Sequence, residues 1–177
     1  SGTELKLTEA RWQRFSRLLK QYEGWASALR SAYGHETTRF LEESGLLAAE
    51  ATSLKDAKSV LEKEDTVRRH DMEIVSEDES ELVVRAVERR SGLAQTHHLK
   101  LALLGSGDYA NYAKVNAQLV ELAGTAPFTA EFDGRTEDAA SFEDLRRAVL
   151  ALARRGVKVQ RFKGLGEMNA EQLRETT

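Results

Sequence analysis

Apolar residues recur every three or four positions near the start of the chain, which is the spacing of an amphipathic helix. The series includes Trp12, Phe15, Tyr22 and Leu29 and predicts a long helix over residues 8–32. Aromatic side chains at this spacing could stack on nucleic-acid bases, but helical periodicity favours a place in the protein core.

Two shorter helices are predicted next. Gly34 permits a turn into a helix that ends near Gly45, and the apolar face of residues 53–64 predicts a third helix. We therefore expect the first third of the chain to form a long helical hairpin followed by one more helix.

The period of the pattern then changes from a helical one to alternation. Met72 and Ile74, followed by Leu82, Val84 and Ala86, alternate with polar residues, and a third strand is predicted over residues 93–103. The acidic run at residues 77–81 lies between the first two strands and predicts a solvated hairpin turn. These features together predict an antiparallel meander.

Helices and strands are mixed in the rest of the chain. The spacing predicts helices over residues 109–122 and 142–153, and strands over residues 128–132 and 157–162. The fold class expected from the whole pattern is α+β, with one sheet packed by helices.

Composition narrows the function classes. Of the 177 residues, 41% are hydrophobic, which is enough for a real core, and there is no cysteine for a disulfide or a thiolate zinc site. The lack of cysteine suits the reducing cytoplasm, where we expect the protein to reside. No apolar run reaches the roughly 18 residues of a membrane span, so a membrane partner is not expected.

Charge is distributed unevenly along the chain. The net charge of -3 argues against a dedicated nucleic-acid-binding domain, which is usually basic over a whole face. Residues 154–177, however, contain six basic residues and three acidic ones. Only this end of the chain is predicted to attract DNA.

The same C-terminal region contains the most specific motif of the chain. The run RFKGLGEMN at residues 161–169 is followed by EQLRETT at residues 171–177. It closely resembles a signature of bacterial type IIA topoisomerases, in the gyrase B family. That family has Tyr, Pro and Trp where this chain has Phe162, Ala170 and Arg174, so the chain resembles a divergent member.

Further runs extend the resemblance upstream. GSGDY at residues 105–109, ASFEDL at residues 140–145 and RRGVKVQR at residues 154–161 resemble the end of an insertion that some gyrase B subunits carry inside their TOPRIM domain. The resemblance implies that residues 1–159 form this insertion and that residues 160–177 are the C-terminal segment of TOPRIM, a strand and a turn.

The resemblance also implies a function for the whole subunit, which is ATP-dependent negative supercoiling of DNA by double-strand passage. The family's Glu-Gly-Asp-Ser and Asp-x-Asp motifs, which hold magnesium, do not occur in this sequence. Magnesium and ATP would therefore bind to regions absent here, and we expect the isolated chain to be inactive. The implied partners are the rest of gyrase B, the gyrase A subunit and double-stranded DNA.

Two roles remain for the chain itself. It could be a non-catalytic brace of the DNA-cleavage core and its interdomain contacts, or an auxiliary element that grips duplex DNA through its basic C-terminal face. The residues expected near DNA are Arg161, Lys163, Gly164 and Gly166. A cation before a Gly-x-Gly turn can approach a phosphate closely, although a strand-to-helix turn also requires small residues.

Other candidate sites have simpler interpretations. The loop at residues 105–108 lacks the Lys-Ser/Thr of a P-loop, so Ser106 or Asp108 is expected to cap the following helix. His97 and His98 are adjacent on a predicted strand, where neighbours face opposite sides and cannot chelate one metal ion together. Ser, His and Asp do not group into a nucleophilic triad. No catalytic or metal-binding residue is predicted in this chain.

Overall fold

The computed structural model describes residues 9–132, 135–154 and 159–163, and in these it contains both helices and antiparallel strands. The helices are α1 Glu9–Tyr33, α2 His35–Glu43, α3 Leu54–Glu62, α4 Leu101–Leu104, α5 Gly107–Ala123 and α6 Phe142–Arg154. The strands are β1 His70–Glu77, β2 Glu81–Glu88, β3 Ala94–Lys100, β4 Phe128–Phe132, β5 Arg135–Ala139 and β6 Val159–Lys163. The α+β prediction is confirmed.

The strands form two separate sheets where the sequence predicted one. The first sheet has the order β1-β2-β3 and the second has the order β5-β4-β6, and all pairings are antiparallel. The predicted meander is therefore confirmed as β1-β2-β3. The later strands pair with one another, since β4 has a hairpin partner of its own in β5.

The chain divides into two compact units. The central unit is Gly24–Asn116, and the terminal unit combines Ser1–Glu23 with Ala117–Thr177. The domain boundary predicted between residues 159 and 160 falls at the start of β6 and stays a prediction.

In the central unit, one face of the β1-β2-β3 sheet is covered by α2 and α3. Along β2, Leu82, Val84 and Ala86 are buried, whereas Arg85 on the opposite face is exposed. This alternation is the one expected of a half-buried strand. The turn between α1 and α2 is at Gly34, whose φ of 91° is in the left-handed region that glycine adopts without a Cβ clash.

The third strand of the meander ends at Lys100, three residues earlier than predicted. The apolar run that follows forms α4, in which Leu103 and Leu104 are both buried. Neighbouring residues of a strand face opposite sides, so a strand would bury only one of these two leucines against a single core. A helical turn allows both to enter it.

The loop before α5 has the capping role that was predicted for it. Ser106 Oγ accepts a hydrogen bond from the backbone N–H of Tyr109 at 3.2 Å and donates one to the carbonyl of Leu103 at 2.7 Å. It therefore satisfies one first-turn amide of the helix, as N-cap side chains do.

The terminal unit contains a cluster of aromatic rings. Phe142 at the start of α6 lies 5.0 Å from Phe128 and 5.8 Å from Tyr22, measured between ring centroids. Phe15 and Tyr22 are fully buried, so their predicted place in the core is confirmed. Trp25 of the central unit is half-buried, and the side chain of Trp12 lies outside the described residues.

Strand β5 was not predicted. Its sequence, Arg-Thr-Glu-Asp-Ala, has no apolar alternation, and it is a strand because each of its residues pairs with one of β4. As for membrane association, none of the described helices combines the length and the apolar character needed to cross a bilayer.

Candidate functional site

Strand β6 contains two of the four residues predicted to lie near DNA. It pairs antiparallel with β4, and the register places Arg161 opposite Glu131 and Lys163 opposite Thr129. Gly164 and Gly166, the other two, lie outside the described residues. The structure therefore brings Arg161 and Lys163 to the β6 side of the second sheet and leaves the placement of the glycines as a prediction.

The sheet that holds β6 is anchored through its central strand. Phe128, the first residue of β4, is 1% exposed. On the other side of β4, Thr129 Oγ1 donates a 3.0 Å hydrogen bond to Asp138 of β5. Within the described residues, β4 is thus paired along both edges, and β6 forms one outer strand of the sheet.

A register shift interrupts the pairing of β6 just before Arg161. Glu131 pairs with Arg161, but the next residue of β4, Phe132, pairs with Val159, so Gln160 is an extra residue. Such a bulge bends the strand and increases its twist. It therefore changes the course of the chain immediately upstream of Arg161 and Lys163.

Helix α6 precedes β6 and packs against β4 and β5. It begins with a side-chain cap, in which Ser141 Oγ accepts from the N–H of Asp144 at 3.1 Å. Arg147 forms an ion pair with Glu143 one turn away, and that carboxylate raises the pKa of the Arg147 guanidinium. This cation is already paired within its own helix.

A second polar cluster lies in the central unit, between α2 and the sheet. It surrounds a small cavity lined by Glu36, Arg39, Phe40, Glu43, His70, Met72, Ala86, Gln95 and His97. Arg39 is 2.8 Å from Glu43, and His70 Nδ1 is 3.9 Å from the same carboxylate. Sequence reasoning missed this cluster, because its members come from several elements and the motif search looked for residues close together in the chain.

His97 is the most deeply buried titratable group of this cluster. It is 8% exposed, and its ring stacks on Phe40 with a centroid distance of 4.2 Å and an interplanar angle of 14°. Burial lowers the pKa of His97. His98 faces the other side of the strand and lies 3.1 Å from Glu81, so the prediction that the two histidines face apart is confirmed.

The chemistry available in the cluster is limited by its existing contacts. The Glu43 carboxylate is engaged by Arg39, and the His97 ring is used for stacking. Across the described residues, no three histidine or carboxylate side chains are arranged to hold a metal ion. The described residues therefore do not fit a magnesium site, and the cluster is best understood as packing between α2 and the sheet.

Comparison with known proteins gives the family. The sequence model of a family described as "DNA gyrase B subunit, carboxyl terminus" matches residues 154–177, which include all four residues predicted to lie near DNA. The DNA gyrase B protein of Caulobacter vibrioides is 38% identical over 89 residues, which are 50% of this chain and 11% of that protein. The chain belongs to the DNA gyrase B family.

A second relative supports the same assignment over a shorter stretch. The DNA gyrase B protein of Rickettsia felis is 58% identical over 33 residues, which are 19% of this gyrase B chain and 4% of the relative. The aligned part of the chain thus spans about a tenth or less of the curated relatives it matches. The division of the chain into a TOPRIM insertion and a TOPRIM segment stays a prediction.

Proposed function

We propose that residues 1–159 are the insertion within the TOPRIM domain of a gyrase B subunit and that residues 160–177 are the C-terminal segment of TOPRIM. The insertion is non-catalytic, braces the DNA-cleavage core, and supports contacts between domains and with the A subunit. The observation that carries this proposal is the gyrase B match at residues 154–177, which directly follows the folded central and terminal elements.

The complete enzyme would supply the chemistry. It would supercoil DNA negatively at the expense of ATP, by passing one duplex through a transient break in another. Magnesium and ATP would be held by parts of the B subunit that this sequence does not contain, and the attacking tyrosine would belong to the A subunit. The contribution of this chain is mechanical.

A brace needs a surface that resists deformation, and long-range contacts support such rigidity in the central unit. The hydroxyl of Tyr109 donates a 3.2 Å hydrogen bond to the carbonyl of Leu46, which lies 63 residues earlier in the chain. Both side chains are fully buried. A buried contact of this kind fixes α5 relative to the segment after α2, because close-packed interiors transmit strain.

The second candidate function is an auxiliary DNA grip. It is favoured by the six basic residues against three acidic ones in residues 154–177. In this view Arg161 and Lys163 neutralise phosphates, and Gly164 and Gly166 allow the backbone to approach them. With so few cations, the isolated chain would bind duplex DNA no more tightly than about 10⁻⁴ to 10⁻⁶ M at physiological salt, the nonspecific range.

The proposal is tested by removing the residues that correspond to 3–155 from the complete B subunit. The variant is assembled with the A subunit, and DNA-stimulated ATP hydrolysis and magnesium-dependent DNA cleavage are measured. A non-catalytic insertion predicts that both reactions continue at rates close to those of the unmodified enzyme. Loss of cleavage in a variant that still assembles would assign the chain to the chemistry itself.

A further inference from the structure

One end of the first sheet presents two apolar side chains to solvent. Val67, in the loop between α3 and β1, is 81% exposed, and Leu93, in the hairpin between β2 and β3, is 71% exposed. They are the two most exposed large apolar side chains of the described residues. Because β1 and β3 flank β2, the two loops lie on either side of the same strand, about 10 Å apart at two strand spacings.

The loop that contains Val67 is held by hydrogen bonds on both sides. Asp65 Oδ1 accepts from the N–H groups of Val67 at 2.9 Å and Arg68 at 3.2 Å. The guanidinium of Arg68 donates to the carbonyls of Leu61 and Val60, both at 3.1 Å, which ties the loop to the end of α3.

Arg89 joins this loop to the sheet. Its guanidinium donates to the carbonyls of Asp65 at 3.0 Å and Thr66 at 3.2 Å, and it forms a 2.7 Å ion pair with Asp71. Its backbone N–H also donates to the carbonyl of Arg69 at 3.1 Å. The position of Val67 is therefore set by contacts that join distant parts of the sequence.

The hairpin that contains Leu93 is held in a similar way. The N–H of Glu88 donates to the carbonyl of Leu93, and the N–H of Gly92 donates to the carbonyl of Glu88, both at 2.8 Å. Gly92 has a φ of 72°, which a residue with a Cβ rarely adopts. Ser91 Oγ contacts the Glu88 carboxylate and accepts from the N–H of Leu93 at 3.3 Å.

Exposed apolar side chains on ordered loops have the properties of an interface anchor. Burying them in a partner removes apolar surface from water, and little conformational entropy is lost because both loops are already fixed. Anchors of this kind fill pockets at the centre of protein interfaces.

The charges around the two side chains indicate the chemistry of the partner. Arg69 is paired with Glu88 at 2.7 Å, and Arg68 and Arg89 are engaged as described above. Arg90, at the tip of the hairpin, is exposed and makes no hydrogen bond or ion pair with the described residues. A carboxylate on the partner would complement it.

We propose that Val67, Leu93 and Arg90 form a docking surface for a protein that presents an apolar pocket beside a carboxylate. Duplex DNA fits this surface less well, because its centre is apolar and three of its four arginines are held by contacts within the chain. The inference rests on the proposed function, since it places the protein partner among the components of the gyrase assembly.

The first test is a photo-crosslink. A benzophenone amino acid replaces Leu93 in the complete B subunit, which is assembled with the A subunit and plasmid DNA and then irradiated. The matched control carries the same probe at Val75, which is 57% exposed and lies near the opposite end of the same sheet. We expect position 93 to crosslink to a protein segment that contains apolar and acidic residues. A crosslink to DNA, or a yield no higher than at position 75, would overturn the proposal.

The second test measures assembly. Val67→Asp combined with Leu93→Asp is expected to weaken association of the B subunit with its crosslinked partner by about fivefold or more. Arg90→Glu is expected to weaken it less, and Val75→Asp not at all. Equal affinities for the double variant and the Val75→Asp control would contradict the proposal.

The two proposals fail in distinguishable ways. If the insertion is not a brace, its removal leaves enzyme coupling unchanged, but the effect of the Val67 and Leu93 substitutions on association remains. If the docking surface is wrong, those substitutions leave association unchanged while removal of the insertion still impairs coupling.

Discussion

Acidification is expected to destabilise the central unit through His97. The imidazole is 8% exposed and stacks on Phe40, and its burial lowers its pKa below the ordinary value of 6.5. The unfolded chain therefore takes up this proton at a higher pH than the folded chain does. The stabilising contribution is present above about pH 6.5 and is lost as the pH falls from there toward the folded-state pKa.

The charges around His97 set the size of the effect. From α2, the carboxylates of Glu36 and Glu43 oppose the effect of burial because they favour the charged ring, whereas His70 on β1 and the neighbouring His98 disfavour it. Arg39 also lines the cavity. One proton gives a slope of at most about 1.4 kcal/mol per pH unit. We therefore expect a loss of about 1 kcal/mol in the free energy of unfolding between pH 7.5 and 5.5.

A comparison with His97→Phe isolates this contribution. The variant keeps an aromatic ring against Phe40 but cannot be protonated, so the other histidines and the carboxylates titrate in both proteins. Urea unfolding of the whole chain, followed by circular dichroism at pH 7.5, 6.5 and 5.5, gives the two pH profiles. The unmodified protein should lose about 1 kcal/mol more than the variant over this range. Parallel profiles would refute the reasoning.

Two further predictions concern the core and the candidate DNA-facing strand. Tyr109→Phe removes the hydroxyl that donates to the carbonyl of Leu46, and urea unfolding should show a loss of about 1 kcal/mol. Because burial raises the pKa of Tyr109 to about 12, this loss should be the same at pH 7 and pH 9, and Tyr33→Phe is the control with little expected effect. Replacing Arg161 and Lys163 together with alanine should weaken duplex DNA binding and reduce its salt dependence, by roughly 0.9 in the logarithmic slope for each phosphate that is no longer neutralised. DNA binding that is unaffected by the double substitution would exclude β6 as the DNA-facing element.

Local patterns in the sequence predicted the features that depend on neighbouring residues. The spacing of Phe15 and Tyr22 predicted α1 and their burial. The alternation of Leu82 and Val84 predicted β2, and Ser106 was identified as a cap because capping involves residues only a few positions apart.

The features that the sequence did not predict depend on distant partners. Strand β5 has no apolar alternation and exists because β4 pairs with it. The stack of His97 on Phe40 joins two elements that are far apart in the chain. The hydrogen bonds from Arg89 to the carbonyls of Asp65 and Thr66 likewise require the folded sheet. Residue type alone does not specify such pairings.

The candidate site was predicted from a motif rather than from periodicity. The match at residues 154–177 bears out the resemblance to gyrase B. The structure adds the antiparallel pairing of β6 with β4 and the bulge at Gln160, neither of which the motif indicated. The proximity of Arg161 and Lys163 to DNA stays a prediction, because it depends on the complete assembly.

The most direct test of the proposed role is the number of supercoils introduced per ATP hydrolysed. The complete B subunit lacking the residues that correspond to 3–155 is compared with the unmodified subunit, each assembled with the A subunit on relaxed plasmid. Linking-number change and ATP hydrolysis are followed in the same reaction. A brace predicts that the variant hydrolyses ATP at a nearly normal rate but introduces several-fold fewer supercoils for each ATP. An unchanged ratio would contradict the account.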